Sequence, residues 1–135
     1  MIKYSLISLA LLSASASAGV AVVVHPSNTS ALDAAAINRI FTGKEKAFSN
    51  GNKVIPIGQD SGTAATGEFN EKVLNKTAAQ LKAYWSKLVF TGKGTPPKEV
   101  SNDQEVIKLI SSNPDTIGYV STDAVDASVK VVMEF

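Results

Sequence analysis

An apolar, β-branched segment near the start of the chain most constrains its fold. The segment Val20-Ala21-Val22-Val23-Val24 shows no helical period, and Pro26-Ser27-Asn28 interrupts it. β-Branched residues favour strands, and a short continuous apolar run is typical of a strand that is buried on both faces. Such a strand needs other elements packed on each side of its sheet.

Helical patterns alternate with strand patterns along the rest of the chain. The predicted helices cover 30–41 with Ser30 as the cap, 63–74, 78–90 with Thr77 as the cap, and a segment that follows Ser101 or Asn102. Further strands are predicted at 53–57, 116–121 and 128–132. Gly118 within one of them indicates a close approach of backbone or ligand. The alternation predicts one α/β domain, a mixed sheet flanked by helices.

Aromatic residues cluster on the third predicted helix. Tyr84, Trp85 and Phe90 are suited either to stack on a ring-shaped ligand or to pack into a core. Leucine and valine residues at helical spacing favour the core, so we expect Trp85 to be buried against the sheet. The residues expected beside it are Leu81, Leu88 and Val89.

Residues 1–18 have the pattern of a secretory signal peptide. Lys3 gives a basic start, residues 4–12 are mostly apolar, and Ala16-Ser17-Ala18 suits a signal peptidase. The apolar run is shorter than the ~20 residues that span a bilayer. We therefore expect residues 19–135 to form an exported domain, periplasmic or secreted, that is not embedded in a membrane.

The composition excludes several classes of function. The chain has 13 basic and 12 acidic residues without a basic stripe, which disfavours nucleic acid as a partner. It contains no cysteine and a single histidine, His25, so thiolate sites, disulfides, a lipidated cysteine and histidine metal clusters are not expected. No spacing pairs His25 with a serine nucleophile. We expect a protein that is not an enzyme and needs no cofactor or metal.

A polar turn, Gln59-Asp60-Ser61-Gly62-Thr63, connects a predicted strand to a predicted helix. The first N–H groups of a helix are unpaired and its dipole attracts anions. The Ser61 hydroxyl and the Gly62 and Thr63 amides are therefore candidate ligands for an oxyanion, with Gln59 and Asp60 at the rim. The alternative is that Ser61 only caps the helix.

These residues belong to an ordered set of turns, aromatic residues and glycines. The set comprises Ile40-Phe41-Thr42-Gly43-Lys44, the 59–63 turn followed by Phe69, Tyr84-Trp85, Phe90-Thr91-Gly92-Lys93-Gly94 with Pro96-Pro97, and the segment from Asn113 to Val120. Over roughly residues 20–121, the order resembles the second lobe of type-2 periplasmic solute-binding proteins. It is most similar to the phosphate-binding subunit of ABC importers.

The resemblance implies a single-lobe domain that binds phosphate or a related oxyanion at the Ser-Gly-Thr step. It also implies an ABC permease or an envelope sensor or porin as partner. Family members that bind phosphate tightly carry an arginine shortly before this serine, whereas Pro56-Ile57-Gly58-Gln59-Asp60 contains no basic residue. The alternative function is a non-catalytic interaction module of the cell envelope that has lost the ligand pocket.

Overall fold

The computed structural model describes residues 19–135, and the predicted signal peptide of residues 1–18 lies outside the described residues. The strands are β1 (Val20–Val24), β2 (Ile55–Gln59), β3 (Lys98–Val100), β4 (Thr116–Ser121) and β5 (Lys130–Glu134). The helices are α1 (Ala34–Phe41), α2 (Ala64–Phe69), α3 (Ala78–Phe90) and α4 (Asp103–Ser112). A π-helical turn, Asn70–Leu74, extends α2, and a 3₁₀ turn, Thr122–Ala124, follows β4.

The five strands form one mixed sheet in the order β3-β2-β4-β1-β5. β1 is antiparallel to both β4 and β5, whereas β2 is parallel to β3 and β4. α2 and α3 connect β2 to its parallel neighbour β3, and α4 connects β3 to β4 on the other side of β2, since parallel strands need crossover connections. The predicted mixed α/β sheet flanked by helices is confirmed.

The apolar run of β1 is buried on both faces, and each of its five residues is 0% exposed. Val20, Val22 and Val24 point into one apolar cluster, which also holds residues of α1 and α2. Ala21 and Val23 point into a second cluster on the other face, together with residues of α4. Because side chains alternate across a strand, a strand between two cores has to be apolar at every position.

Gly118 brings α4 close to the sheet. A Cβ atom at this position would lie 2.7 Å from Cγ1 of Val106 and 3.3 Å from Cδ1 of Ile110. Because Gly118 has no side chain, Val106 and Ile110 of α4 pack directly on β4. A close approach does occur at this glycine, but the approaching groups are side chains of α4 and not the backbone or ligand that the sequence predicted.

One helix start predicted from the sequence is wrong, and one strand was not predicted. α1 begins at Ala34, and Asp33 caps it by accepting a hydrogen bond from the Ala36 N–H at 2.7 Å. Ser30 does not cap the helix, because its hydroxyl has no hydrogen-bond partner among the described residues. Its N–H bonds to the Asn28 side chain at 2.9 Å in a local turn. The sequence patterns also do not identify β3, a three-residue edge strand with two charged side chains.

The burial predicted for Trp85 is wrong, because α3 has no buried residue. Val89 is 52% exposed and Phe90 is 92% exposed, while Trp85 is half-buried. The Trp85 ring lies against Gly43, so close that a Cβ atom added to the glycine would be 3.0 Å from the ring atom Cη2. The Tyr84 hydroxyl donates to the Thr42 carbonyl at 2.6 Å. These contacts attach α3 to the end of α1 and leave its last turn uncovered.

Candidate functional site

The 60–63 turn lies at the carboxyl end of β2, where α2 begins. The Asp60 N–H donates to the Val100 carbonyl at 2.9 Å, which ties the turn to β3. The Thr63 N–H donates to the Asp60 carbonyl at 3.1 Å and closes the turn. Thr63 then caps α2, because its hydroxyl accepts from the Thr66 N–H at 3.2 Å. Ser61 is therefore not the cap, and its side chain is exposed.

The turn presents several backbone donors that lack a partner among residues 19–135. They are the N–H groups of Ser61, Gly62, Ala64 and Ala65. The Ser61 hydroxyl likewise has no hydrogen-bond partner within the described chain. Gly62 is exposed, and no atom lies within 4 Å of the position that its Cβ would take. Ser61, Gly62 and Ala64 are exposed, so an oxyanion can reach their donors from solvent, whereas Ala65 is buried.

Gln59 lies beneath the turn and is only 2% exposed. Its side-chain Nε2 donates to Oδ1 of Asp103 at 2.8 Å and to the Tyr119 carbonyl at 2.9 Å. Both amide hydrogens are therefore used inside the protein, and the rim position expected for Gln59 is wrong. Asp103 also accepts from the Ser121 N–H at 3.1 Å, so the carboxylate joins β2, β4 and α4. Gln59 positions the turn instead of contacting solvent.

A buried hydroxyl network supports the same turn. The Thr66 hydroxyl donates to the Gln59 carbonyl at 3.1 Å and lies 3.0 Å from the Tyr119 hydroxyl, which accepts from the Gln59 N–H at 3.1 Å. Burial raises the pKa of Tyr119 above 10.0, although its hydrogen bonds with Thr66 and Gln59 act in the opposite direction. The Tyr119 side chain is therefore neutral at ordinary pH and can donate to Thr66.

Aromatic rings hold α2 against the sheet below this network. The Tyr119 ring stacks on Phe69 with a centroid distance of 4.0 Å, and Phe41 meets Phe69 edge-on at 4.7 Å. Sequence reasoning placed Phe69 only as part of a motif and did not identify Thr66 or Tyr119 as support for the turn. Their signal, a threonine three residues after the cap and a tyrosine next to a strand glycine, is too common to single out.

No basic side chain contacts the turn in the described part of the chain. Within residues 19–135 the ion pairs are Arg39–Glu45 at 3.2 Å and Lys72–Glu68 at 3.3 Å, and neither includes a residue of the turn. Asp60 is exposed and places a negative charge beside the candidate donors. Residues 19–135 include no group of three or more histidine, cysteine or acidic side chains arranged to hold a metal ion. An anion at this turn would be bound by dipoles and hydrogen bonds only.

The turn borders a cleft of about 790 Å³ through Ser61. Thr66, Tyr119 and residues of α3 line the same cleft. A second cleft of about 450 Å³ lies on the other side of Trp85 and Val89, which line both. None of the helices described in residues 19–135 is both long enough and apolar enough to traverse a lipid bilayer.

The chain matches no protein-family model and no curated protein. Among solved structures it is similar to an ABC-type phosphate transport receptor from Vibrio cholerae, with a TM-score of 0.66 and 18% identity over 85% of this chain and 45% of the receptor. It is also similar to a putative phosphate ABC transporter substrate-binding protein from Clostridium perfringens with bound phosphate, with a TM-score of 0.64 and 21% identity over 84% of this chain and 44% of the other.

A possible phosphate binding protein from Planctomyces limnophilus has a TM-score of 0.59 and 22% identity, covering 84% of this chain and 40% of its own. The chain therefore spans less than half the length of these structures. At such identities the likeness is one of fold. The described chain has the fold of a single lobe of the phosphate ABC transporter substrate-binding proteins.

Proposed function

We propose that this chain is a non-catalytic solute-binding domain that captures a small oxyanion, with phosphate as the first candidate. The observation that carries the proposal is the 60–63 turn, which presents an exposed serine hydroxyl beside unpaired backbone amides. The proteins of similar fold include an ABC-type phosphate transport receptor and a putative phosphate ABC transporter substrate-binding protein with bound phosphate. Their fold and the donors of this turn support the same ligand class.

The ligand would take its hydrogen bonds from the Ser61 hydroxyl and the Gly62 amide, with the Ala64 amide adjacent. Thr63 has a less direct role, because its N–H and hydroxyl are already used to close the turn and cap α2. Gln59 holds the turn from beneath. Asp60 would accept a hydrogen bond from a protonated phosphate oxygen and would repel a fully ionised one, so the proposed ligand form is the protonated anion.

Binding to this chain alone is expected to be weak. The turn is exposed, no cation adjoins it within the described residues, and hydrogen bonds exchanged with water contribute little net free energy. A single lobe also encloses less of a ligand than the closed cleft of a typical pocket does. We expect a dissociation constant between micromolar and millimolar, roughly −8 to −4 kcal/mol.

We further propose that the domain acts outside the cytoplasm, in the periplasm or as a secreted protein, after removal of residues 1–18. In this setting it would deliver the anion to an ABC permease or report it to an envelope sensor or porin. Intact-mass measurement of the exported product tests the leader. A mass that begins at Gly19 supports export with cleavage, and a mass that retains residues 1–18 contradicts it.

The site is tested by following backbone amide chemical shifts while phosphate and, separately, sulfate are added. We expect the largest shifts at Ser61, Gly62 and Ala64. Ser61→Ala and Gly62→Pro should each weaken binding by at least about 1 kcal/mol, the lower range for losing a hydrogen bond to a charged group. Lys108→Ala, on the exposed side of α4, serves as the control and should leave the affinity unchanged.

The free energy of unfolding must be measured for both site variants, because a disturbed turn would also lower affinity. The φ angle of Gly62 lies outside the left-handed region, and proline further requires a φ near −65°, so the stability of Gly62→Pro decides whether its affinity can be interpreted. Phosphate-dependent shifts centred on His25 or Lys93, with Gly62 and Ala64 unchanged, would show that the turn is not the site.

A second candidate is an interaction module that docks another envelope protein. The exposed last turn of α3 favours it, because Phe90 is 92% exposed at the end of an apolar helix face. Absence of any oxyanion binding, together with capture of a defined envelope partner that Phe90→Ser abolishes, would favour this candidate over the first.

A further inference from the structure

The cleft of about 790 Å³ beside the 60–63 turn has the size of a small-molecule site. Ligand pockets in proteins measure about 300–1,000 Å³ and combine an apolar lining with a few polar groups. Here β2 and α2, with the turn between them, contribute the polar lining, Gln59, Ser61 and Thr66. α3 contributes an apolar wall of Leu81, Trp85 and Val89, which Phe90 extends. A single phosphate ion would occupy only a small part of this volume.

The apolar wall is not covered by the rest of the described chain. α3 has no buried residue, Val89 is 52% exposed, and Phe90 is 92% exposed. Leu81 and Trp85 are half-buried at the cleft. Apolar surface that remains in contact with water is a source of binding free energy for a ligand that covers it.

Part of the polar lining is already used within the protein. The Gln59 side chain donates to Asp103 and to the Tyr119 carbonyl, and the Thr66 and Tyr119 hydroxyls bind each other and the Gln59 backbone. The Ser61 hydroxyl has no partner within residues 19–135, and the same holds for the Asn70 and Ser86 side chains that also line the cleft. Of these three, Ser61 adjoins the unpaired amides of the 60–63 turn, so the anionic part of a ligand is placed there, and the wall of α3 favours an apolar remainder.

Two charged side chains also line the cleft. Lys82 on α3 forms no ion pair with another described residue, and it offers a cation to an anionic ligand. Glu99 on β3 lines the same cleft, and its carboxylate opposes a second negative group. The charges favour a ligand with one anionic group and a neutral body.

We propose that the ligand of this cleft is an organic phosphate monoester, whose phosphate group binds at Ser61 and whose apolar body lies along α3. The inference rests on the proposed oxyanion-binding function and names the ligand class of that site. Free phosphate would make the polar contacts alone, whereas a monoester would also cover the apolar wall.

The test is a calorimetric titration of the full exported chain with three probes, namely phenyl phosphate, inorganic phosphate and phenol. We expect phenyl phosphate to bind at least about tenfold more tightly than inorganic phosphate, which corresponds to about 1.4 kcal/mol. Phenol should bind more weakly than phenyl phosphate. Val89→Ser and Phe90→Ser should reduce that tenfold preference toward unity while the affinity for inorganic phosphate stays constant.

Both variants change exposed side chains, so the fold is expected to survive, and a thermal melt checks this. Ile55→Thr is the matched control, because Ile55 is 36% exposed and does not line the cleft. Equal affinities for phenyl phosphate and inorganic phosphate would overturn this inference and leave the proposed function intact. Binding of phenyl phosphate and phenol alike, with inorganic phosphate silent, would overturn both.

Discussion

β1 and α3 are both rich in apolar residues, yet the fold buries only one of them. Every residue of β1 is 0% exposed, whereas α3 has no buried residue among its 13. β1 lies between β4 and β5 with an apolar cluster on each face. α3 borders a cleft on either side of Trp85 and Val89. An apolar pattern identifies the residues that share a face, but the neighbouring elements decide whether that face is covered.

The largest expected difference compares a phenylalanine of the core around β1 with the exposed phenylalanine of α3. Phe69, which is 1% exposed and stacked on Tyr119, lies in the apolar cluster that covers one face of β1. Phe69→Ala should lower the free energy of unfolding by about 3–5 kcal/mol, the usual cost of truncating a core phenylalanine. Phe90→Ala should change it by no more than about 0.5 kcal/mol, as for other surface substitutions. Urea denaturation of both variants measures the difference, and equal losses would contradict the comparison.

A pair of glycines offers a second contrast. Gly118→Ala places a Cβ atom 2.7 Å from Val106 and should cost about 1–3 kcal/mol through overpacking. Gly62→Ala adds its Cβ where no atom lies within 4 Å, so stability should be nearly unchanged. Thermal melts of the two variants test this. A loss at Gly62 as large as that at Gly118 would mean that the turn is packed more tightly than its geometry indicates.

Trp85 is the residue through which the exposed helix α3 packs against the end of α1. Because Trp85 is half-buried against Gly43 and Gly94, Trp85→Ala should cost about 1–2 kcal/mol, less than the ~3–5 kcal/mol of a fully buried aromatic residue. The fluorescence of Trp85 reports its environment directly, since it is the single tryptophan of the chain. We expect partial quenching by acrylamide, and complete protection from the quencher would place Trp85 in the core after all.

The smallest expected effect concerns pH and the buried network under the turn. Burial raises the pKa of Tyr119 above 10.0, so the folded state retains a proton that the unfolded state loses. Stability contributed by this group is complete well below pH 10 and declines as pH rises above 10 and through the folded-state pKa. The loss of unfolding free energy at alkaline pH should be smaller in Tyr119→Phe than in Tyr84→Phe. An identical alkaline profile for the two variants would contradict the assignment.

Much of the fold could be predicted from local patterns. The buried strand at 20–24, the capping box of α3 formed by Thr77 and Gln80, and the Asn102 cap of α4 all follow from residue types at short spacing. The start of α1 could not, because a serine and an aspartate three residues apart both suit a cap. β3 could not either, since three residues with two charges are too few to show a strand period.

The sequence likewise predicts some features of the candidate site and not others. The position of the turn between a strand and a helix, and the exposure of Ser61 and Gly62, agree with the sequence pattern. The inward direction of Gln59 does not follow from it. Gln59 lies 60 positions before Tyr119 and 44 before Asp103, and the hydrogen bonds that turn it inward exist only when β2, β4 and α4 come together.

The sequence by itself therefore determined the order of most strands and helices in the chain, the apolar interior of the sheet and the place of the candidate turn. These depend on backbone preference, side-chain period and capping, which act over a few residues. The tertiary structure decided which side chains of the turn remain free, which face of α3 stays uncovered and what surrounds the cleft. Those properties arise from contacts between distant segments, and no local spacing encodes which surface another element will cover.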